Sequence, residues 1–104
     1  MKFVVQWSSR MGGDAEDNVE AAESLLKAFG SWAPPASVTI SEFVARVDGR
    51  GGYLVVDTTD LLAVDKMVAQ YVTWFDYDVY PVVDVADGAL QFAEGVAWAK
   101  QFVD

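Results

Sequence analysis

Two β-rich runs meet at Asp48-Gly49-Arg50-Gly51-Gly52, and no other feature of the chain restricts the fold as much. Asp-Gly between two strand-forming segments marks a hairpin, because the turn needs positive φ and glycine adopts it without a steric penalty. The middle of the chain is therefore expected to be antiparallel. Upstream, residues 37–47 read as a second strand, with Thr39, Ser41 and Phe43 alternating against Val38, Ile40 and Val44. Downstream, YLVVD at 53–57 is a third strand rich in β-branched and aromatic types.

The remaining elements follow outward from that hairpin. KFVVQWS at 2–8 is a first strand, and WFDYDVYPVVDV at 74–85 holds a fourth. Asp14 is placed to cap a first helix, with Glu16 and Asp17 near its positive end and Gly30 beyond its last turn. Val19, Ala22, Leu26 and Phe29 recur at steps of three and four residues, the spacing of one helix face. Thr58, Thr59 and Asp60 offer caps for a second helix with the stripe Leu61, Val64, Val68 and Tyr71. Pro34 and Pro35 make SWAPPAS a loop. A last helix is expected from about Asp87 to Phe102, striped by Phe92, Val96, Ala99 and Val103, with Lys100 near its negative end.

The order βαββαβ plus a C-terminal helix predicts a ferredoxin-like α+β fold. It is one domain spanning residues 1–104, with a four-stranded antiparallel sheet and two helices on one face. A sheet half open to water should alternate apolar and polar residues, yet FVV and YLVV are apolar on both faces. Either the terminal helix folds back over the second face or a second subunit packs there. Trp98 and Phe102, one turn apart and off the main stripe, favour the homodimer.

Composition narrows the chemistry. The 104 residues contain no cysteine, which excludes disulfides and thiolate metal sites and suits a cytoplasmic location. They contain no histidine, which excludes imidazole-based triads and histidine-ligated haem or zinc. The net charge of −9 repels phosphates and anionic lipid, so neither nucleic acid nor a membrane is expected as a partner. No run is long enough to span a bilayer, and no secretion signal is visible. No cofactor and no dedicated metal site is expected: Asp76-x-Asp78 lacks the further oxygen ligands and the glycine of a calcium loop.

GRGGYLVVDTTD, followed by a helix and then WFDYDVYPVVD, resembles the family catalogued as domain of unknown function 3303. MKFVVQW is similar to the family's first strand. The resemblance is strongest from Gly49 to Asp84, and it implies a dimeric α+β barrel fold and a homodimer. It implies no chemistry. The wider barrel superfamily includes cofactor-independent monooxygenases, haem-degrading enzymes, lactone isomerases and dye-type peroxidases, of which the histidine-dependent haem types do not fit this chain.

Three functions stay open. The first is a small dimeric protein that binds a small organic molecule in a cavity at the sheet face. The second is a cofactor-independent monooxygenase or isomerase-like enzyme, with Asp78, Tyr80 and Trp7 as candidate catalytic residues. The third is a non-catalytic interaction module. Candidate ligand-binding residues are Gln6, Trp7, Trp74, Asp76, Asp78, Tyr80 and Arg50, and Tyr77 joins the aromatics that could line a pocket. Asp76 and Asp78 share a strand face, where desolvation and mutual repulsion could produce a general base. The alternative is an edge strand whose charges deter aggregation, and this reading is preferred. Arg50 could meet an anion at the hairpin or simply be a solvated loop charge. GRGG leads into a strand rather than opening a helix, so it is not a phosphate loop.

Overall fold

A computed structural model of the chain describes residues 1–10 and 12–103. Its elements are β1 (Lys2–Ser9), α1 (Ala15–Gly30), β2 (Thr39–Ala45), β3 (Gly51–Asp57), α2 (Leu61–Tyr71), β4 (Phe75–Val82) and α3 (Val85–Ala99). The strands form one four-stranded sheet in the order β2-β3-β1-β4, with every neighbouring pair antiparallel. This is the ferredoxin-like arrangement, with β2 and β4 at the edges. Pro81, which has no N–H to donate, falls on β4, where an edge tolerates it.

Local chemistry accounts for the boundaries. Gly49 has φ +73°, and the Asp48 carboxylate accepts from the Arg50 N–H at 3.0 Å, so the hairpin turns where Asp-Gly demands it. Asp14 caps α1 by accepting from the Asp17 N–H at 2.8 Å. Among the three candidate caps of α2, Asp60 does the capping, accepting from the Leu62 N–H at 3.1 Å. Thr58 is buried and ties the same corner together: its hydroxyl donates to Ser37 O at 2.9 Å and accepts from Asp60 N at 3.0 Å.

The core lies between the sheet and α2. Phe3 and Val5 of β1 and Leu54 and Val56 of β3 pack against Ala63, Val64 and Met67, with Val38 from the loop before β2. The inner face of β1 is therefore Phe3, Val5 and Trp7, and Val4 and Gln6 point outward. A β-bulge between Ile40 and Glu42 changes the parity of β2. Ile40 pairs with Val56 and Phe43 with Leu54, so both face the core, where strict alternation placed them on opposite faces.

Two helix stripes differ from expectation. On α1, Val19 and Leu26 are 57% and 69% exposed, and the residues turned to the sheet are Asn18, Ala21, Ala22, Leu25 and Ala28. On α2, Leu61 is exposed and Ala63 and Met67 are buried, alongside Val64 and Tyr71. Among the described residues the stripe of α3 is left without a partner element. The helix contains no buried residue, and Leu90, Phe92, Trp98 and Phe102 stand in solvent. Neither does α3 cover the outer sheet face, where Val44, Tyr53 and Tyr80 are exposed as well. The radius of gyration is 18.4 Å, against about 13 Å for a compact domain of this length. The longest dimension is 62 Å. Asp84, at the N-cap of α3, makes no capping bond, because its carboxylate accepts from Lys2 Nζ at 2.7 Å.

Candidate functional site: an aromatic-walled cleft

The small residues on the inner face of α1 lack the volume to fill the space above the sheet. What remains is a cleft of about 480 Å³ between α1 and the strands, a size that suits a small organic molecule. Its wall is aromatic. Trp7 on β1 meets Phe43 on β2 edge-to-face at 5.5 Å, and Phe43 meets Trp32 at 6.2 Å. Trp32 meets Tyr71 of α2 at 5.9 Å, Tyr71 lies 6.5 Å from Phe75 of β4, and Phe75 returns to Trp7 at 6.2 Å. Five rings from five different segments close a circuit, and all five line the cleft. Gly52 leaves room for the indole of Trp7, since a Cβ there would stand 2.3 Å from the ring. Leu25, Phe29, Met67 and Tyr77 also line the cleft, which is open on one side, and no charged side chain lines it among the described residues.

The polar groups of this wall are few. The Trp32 Nε1–H donates to Gln70 Oε1 at 2.9 Å and is satisfied within the protein. The Tyr71 hydroxyl is buried and has no hydrogen-bond partner among the described residues. An unsatisfied buried hydroxyl costs on the order of 1–3 kcal/mol. Burial pushes the Tyr71 phenol above its ordinary range. Burial, reinforced by repulsion from the Tyr71 phenolate, pushes Tyr77 up to about 12. At neutral pH both phenols keep their protons and act as hydrogen-bond donors.

Of the eight residues singled out from the sequence, the cleft gathers Trp7 and Tyr77. Trp74 lines a second, smaller hollow of about 220 Å³ with Arg10, Asn18 and Thr73. Gln6 and Asp78 pair across β1 and β4 on the outer sheet face, Asp76 pairs with Ser8 beside them, and Tyr80 pairs with Val4. β4 is an edge strand, as its acidic residues suggested, and Asp76 accepts from Arg10 Nε at 2.8 Å. Arg50 sits in the hairpin turn, with its neighbour Gly49 at the tip. Asp57 ends β3 and lies 3.2 Å from the Met1 amino group, leaving the capping of α2 to Asp60.

Trp32, Phe43, Tyr71 and Phe75 were missed as site residues. Phe75 was within reach of pattern reading, because it lies two residues from Tyr77 and shares its strand face. Tyr71 and Phe43 looked like core residues, and Trp32 follows the first helix in a proline-containing loop with no periodicity to place it. Among the described residues no group of three or more acidic side chains is placed to hold a metal ion, and no helix is long and apolar enough to cross a membrane.

The family model for a domain of unknown function, DUF3303, matches residues 1–96. The chain belongs to the DUF3303 family. The match takes in every strand and all of the cleft, and ends within α3 of this DUF3303 protein. No curated protein matches the chain.

Proposed function

We propose that this DUF3303 protein binds a small apolar, aromatic molecule in the cleft between α1 and the sheet, as a homodimer of the dimeric α+β barrel kind. The closed circuit of Trp7, Phe43, Trp32, Tyr71 and Phe75 carries the reading, because a wall of edge-on and tilted rings suits a flat apolar guest. Binding is favoured over catalysis because the titratable groups at the cleft are phenols held neutral. Neutral phenols orient a ligand, and a general base would need a group titrating near the working pH. A cysteine-free chain suits the cytoplasm.

The homodimer rests on a second observation. Among the described residues, one chain leaves unpartnered both an apolar helix, α3, and an outer sheet face on which Val44, Tyr53 and Tyr80 are exposed beside polar residues. A two-fold dimer satisfies both at once, because each patch of one copy meets the other copy. An interaction module for a different protein would use the same surfaces.

Native mass spectrometry of the purified protein tests both parts. The expected species is a dimer, with extra mass where a guest is retained. The same spectrum of a chain ending at Val83 should show the monomer, with its guest kept, because α3 lines no part of the cleft. A monomeric full-length chain at micromolar concentration would sink the dimer. Failure of the full-length protein to take up any aromatic probe would sink the cleft as a binding site.

A further inference from the structure

We infer that the Tyr77 hydroxyl selects the guest: it is the phenol open to a molecule in the cleft, so the cleft takes an uncharged, planar aromatic molecule bearing a hydrogen-bond-accepting oxygen such as a carbonyl. The inference rests on the binding reading above and adds the ligand's chemical class.

Three observations carry it. First, the lining side chains that carry an N–H or O–H, among the described residues, are Trp7, Trp32, Tyr71 and Tyr77. Trp32 Nε1 already donates to Gln70, and the Tyr71 oxygen is sealed from water, so neither is offered to a guest. Trp7 Nε1 and the Tyr77 hydroxyl remain. They stand side by side, because Trp7 and Tyr77 pair directly across β1 and β4, and Phe75 packs edge-on against the Tyr77 ring at 6.2 Å. Second, Tyr77 is partly buried and no hydrogen bond from the described residues engages its hydroxyl, yet that oxygen is not sealed as the Tyr71 oxygen is. A polar group so placed is satisfied by water until something displaces it. A guest without an acceptor would strand the hydroxyl, whereas an accepting oxygen restores the bond. Third, the open groups are an indole N–H and a phenol that keeps its proton, both donors, and no charged side chain lines the cleft among the described residues. The chain also carries a net charge of −9. A carboxylate or phosphate would be buried there without a counterion, so the accepting oxygen is a neutral one.

Fluorenone and fluorene provide the test, because they share a flat tricyclic frame and differ by one carbonyl. Equilibrium dialysis measures the affinity of each for wild type, Tyr77→Phe and Tyr71→Phe. Wild type is expected to bind fluorenone about tenfold more tightly than fluorene, the effect of one well-made hydrogen bond. Tyr77→Phe should abolish that preference, chiefly by weakening fluorenone, and Tyr71→Phe should keep it. The carbonyl stretch of fluorenone bound to wild type should lie below its value in an apolar solvent, a reading that needs no variant. Equal affinity of wild type for both probes, or an unshifted stretch, would overturn the role of Tyr77 and leave the cleft a binding site. A preference that survives Tyr77→Phe would overturn it too and pass the bond to Trp7 Nε1, and one lost in Tyr71→Phe alone would pass it to Tyr71. Failure of both probes to bind would overturn the cleft reading and this one with it.

Discussion

Replacing Gly52 by alanine tests the link between the hairpin and the cleft wall. An added Cβ would lie 2.3 Å from Val44 O, and 2.3 and 2.4 Å from Cζ2 and Cη2 of Trp7. Ordinary contact is about 3.5–4 Å, so more than 1 Å of overlap must be relieved. The carbonyl belongs to the backbone of β2, paired to β3 in register Val44 to Tyr53, and yields little. The indole must swing toward Phe43 and Phe75, into the cleft. Overpacking of this kind costs about 1–3 kcal/mol, offset by roughly 0.4–1 kcal/mol from a stiffer unfolded chain. A net loss of about 1–2 kcal/mol lowers Tm by roughly 4–12 °C in a domain of this size. Thermal and urea unfolding followed by circular dichroism reads the loss, and tryptophan fluorescence reports the displaced ring. Gly95→Ala is the control, since nothing lies within 4 Å of a Cβ at that exposed helical position. There the same change should stabilise α3 by about 0.5–1 kcal/mol. A Gly52→Ala protein that melts with or above wild type would refute the packing of Trp7 over β3.

Stability should fall between pH 10 and about 12, because Tyr77 titrates near 12 in the folded chain and near 10 unfolded. In that window the native state holds a proton that the unfolded state has lost, so unfolding gains with rising pH. Tyr77→Phe should flatten this part of a urea-midpoint profile; an unchanged profile would place the phenol in water. Thr58→Val should cost about 1–2 kcal/mol by urea unfolding, because it leaves Ser37 O and Asp60 N without the buried hydroxyl that joins them. Arg10→Ala should cost less than about 1 kcal/mol in the same assay, since Arg10 and Asp76 are both exposed.

The element order and its punctuation are legible in the residues alone. Asp48-Gly49 could only turn, Asp14 and Asp60 had side chains that cap helices, and the alternating acids of β4 marked an edge. These are local effects, set by φ preference, short hydrogen bonds and strand polarity. The tertiary structure decided which face each apolar residue used. A bulge at Ser41 moved Phe43 to the inner face, and a near one-residue rotation of α1 turned alanines toward the sheet and left Val19 outward. The site arises from those two decisions, because the cleft is the volume that alanines fail to fill and its rings come from five separate segments. No spacing rule brings Trp7, Trp32, Phe43, Tyr71 and Phe75 together; only the packing of helices on a twisted sheet does.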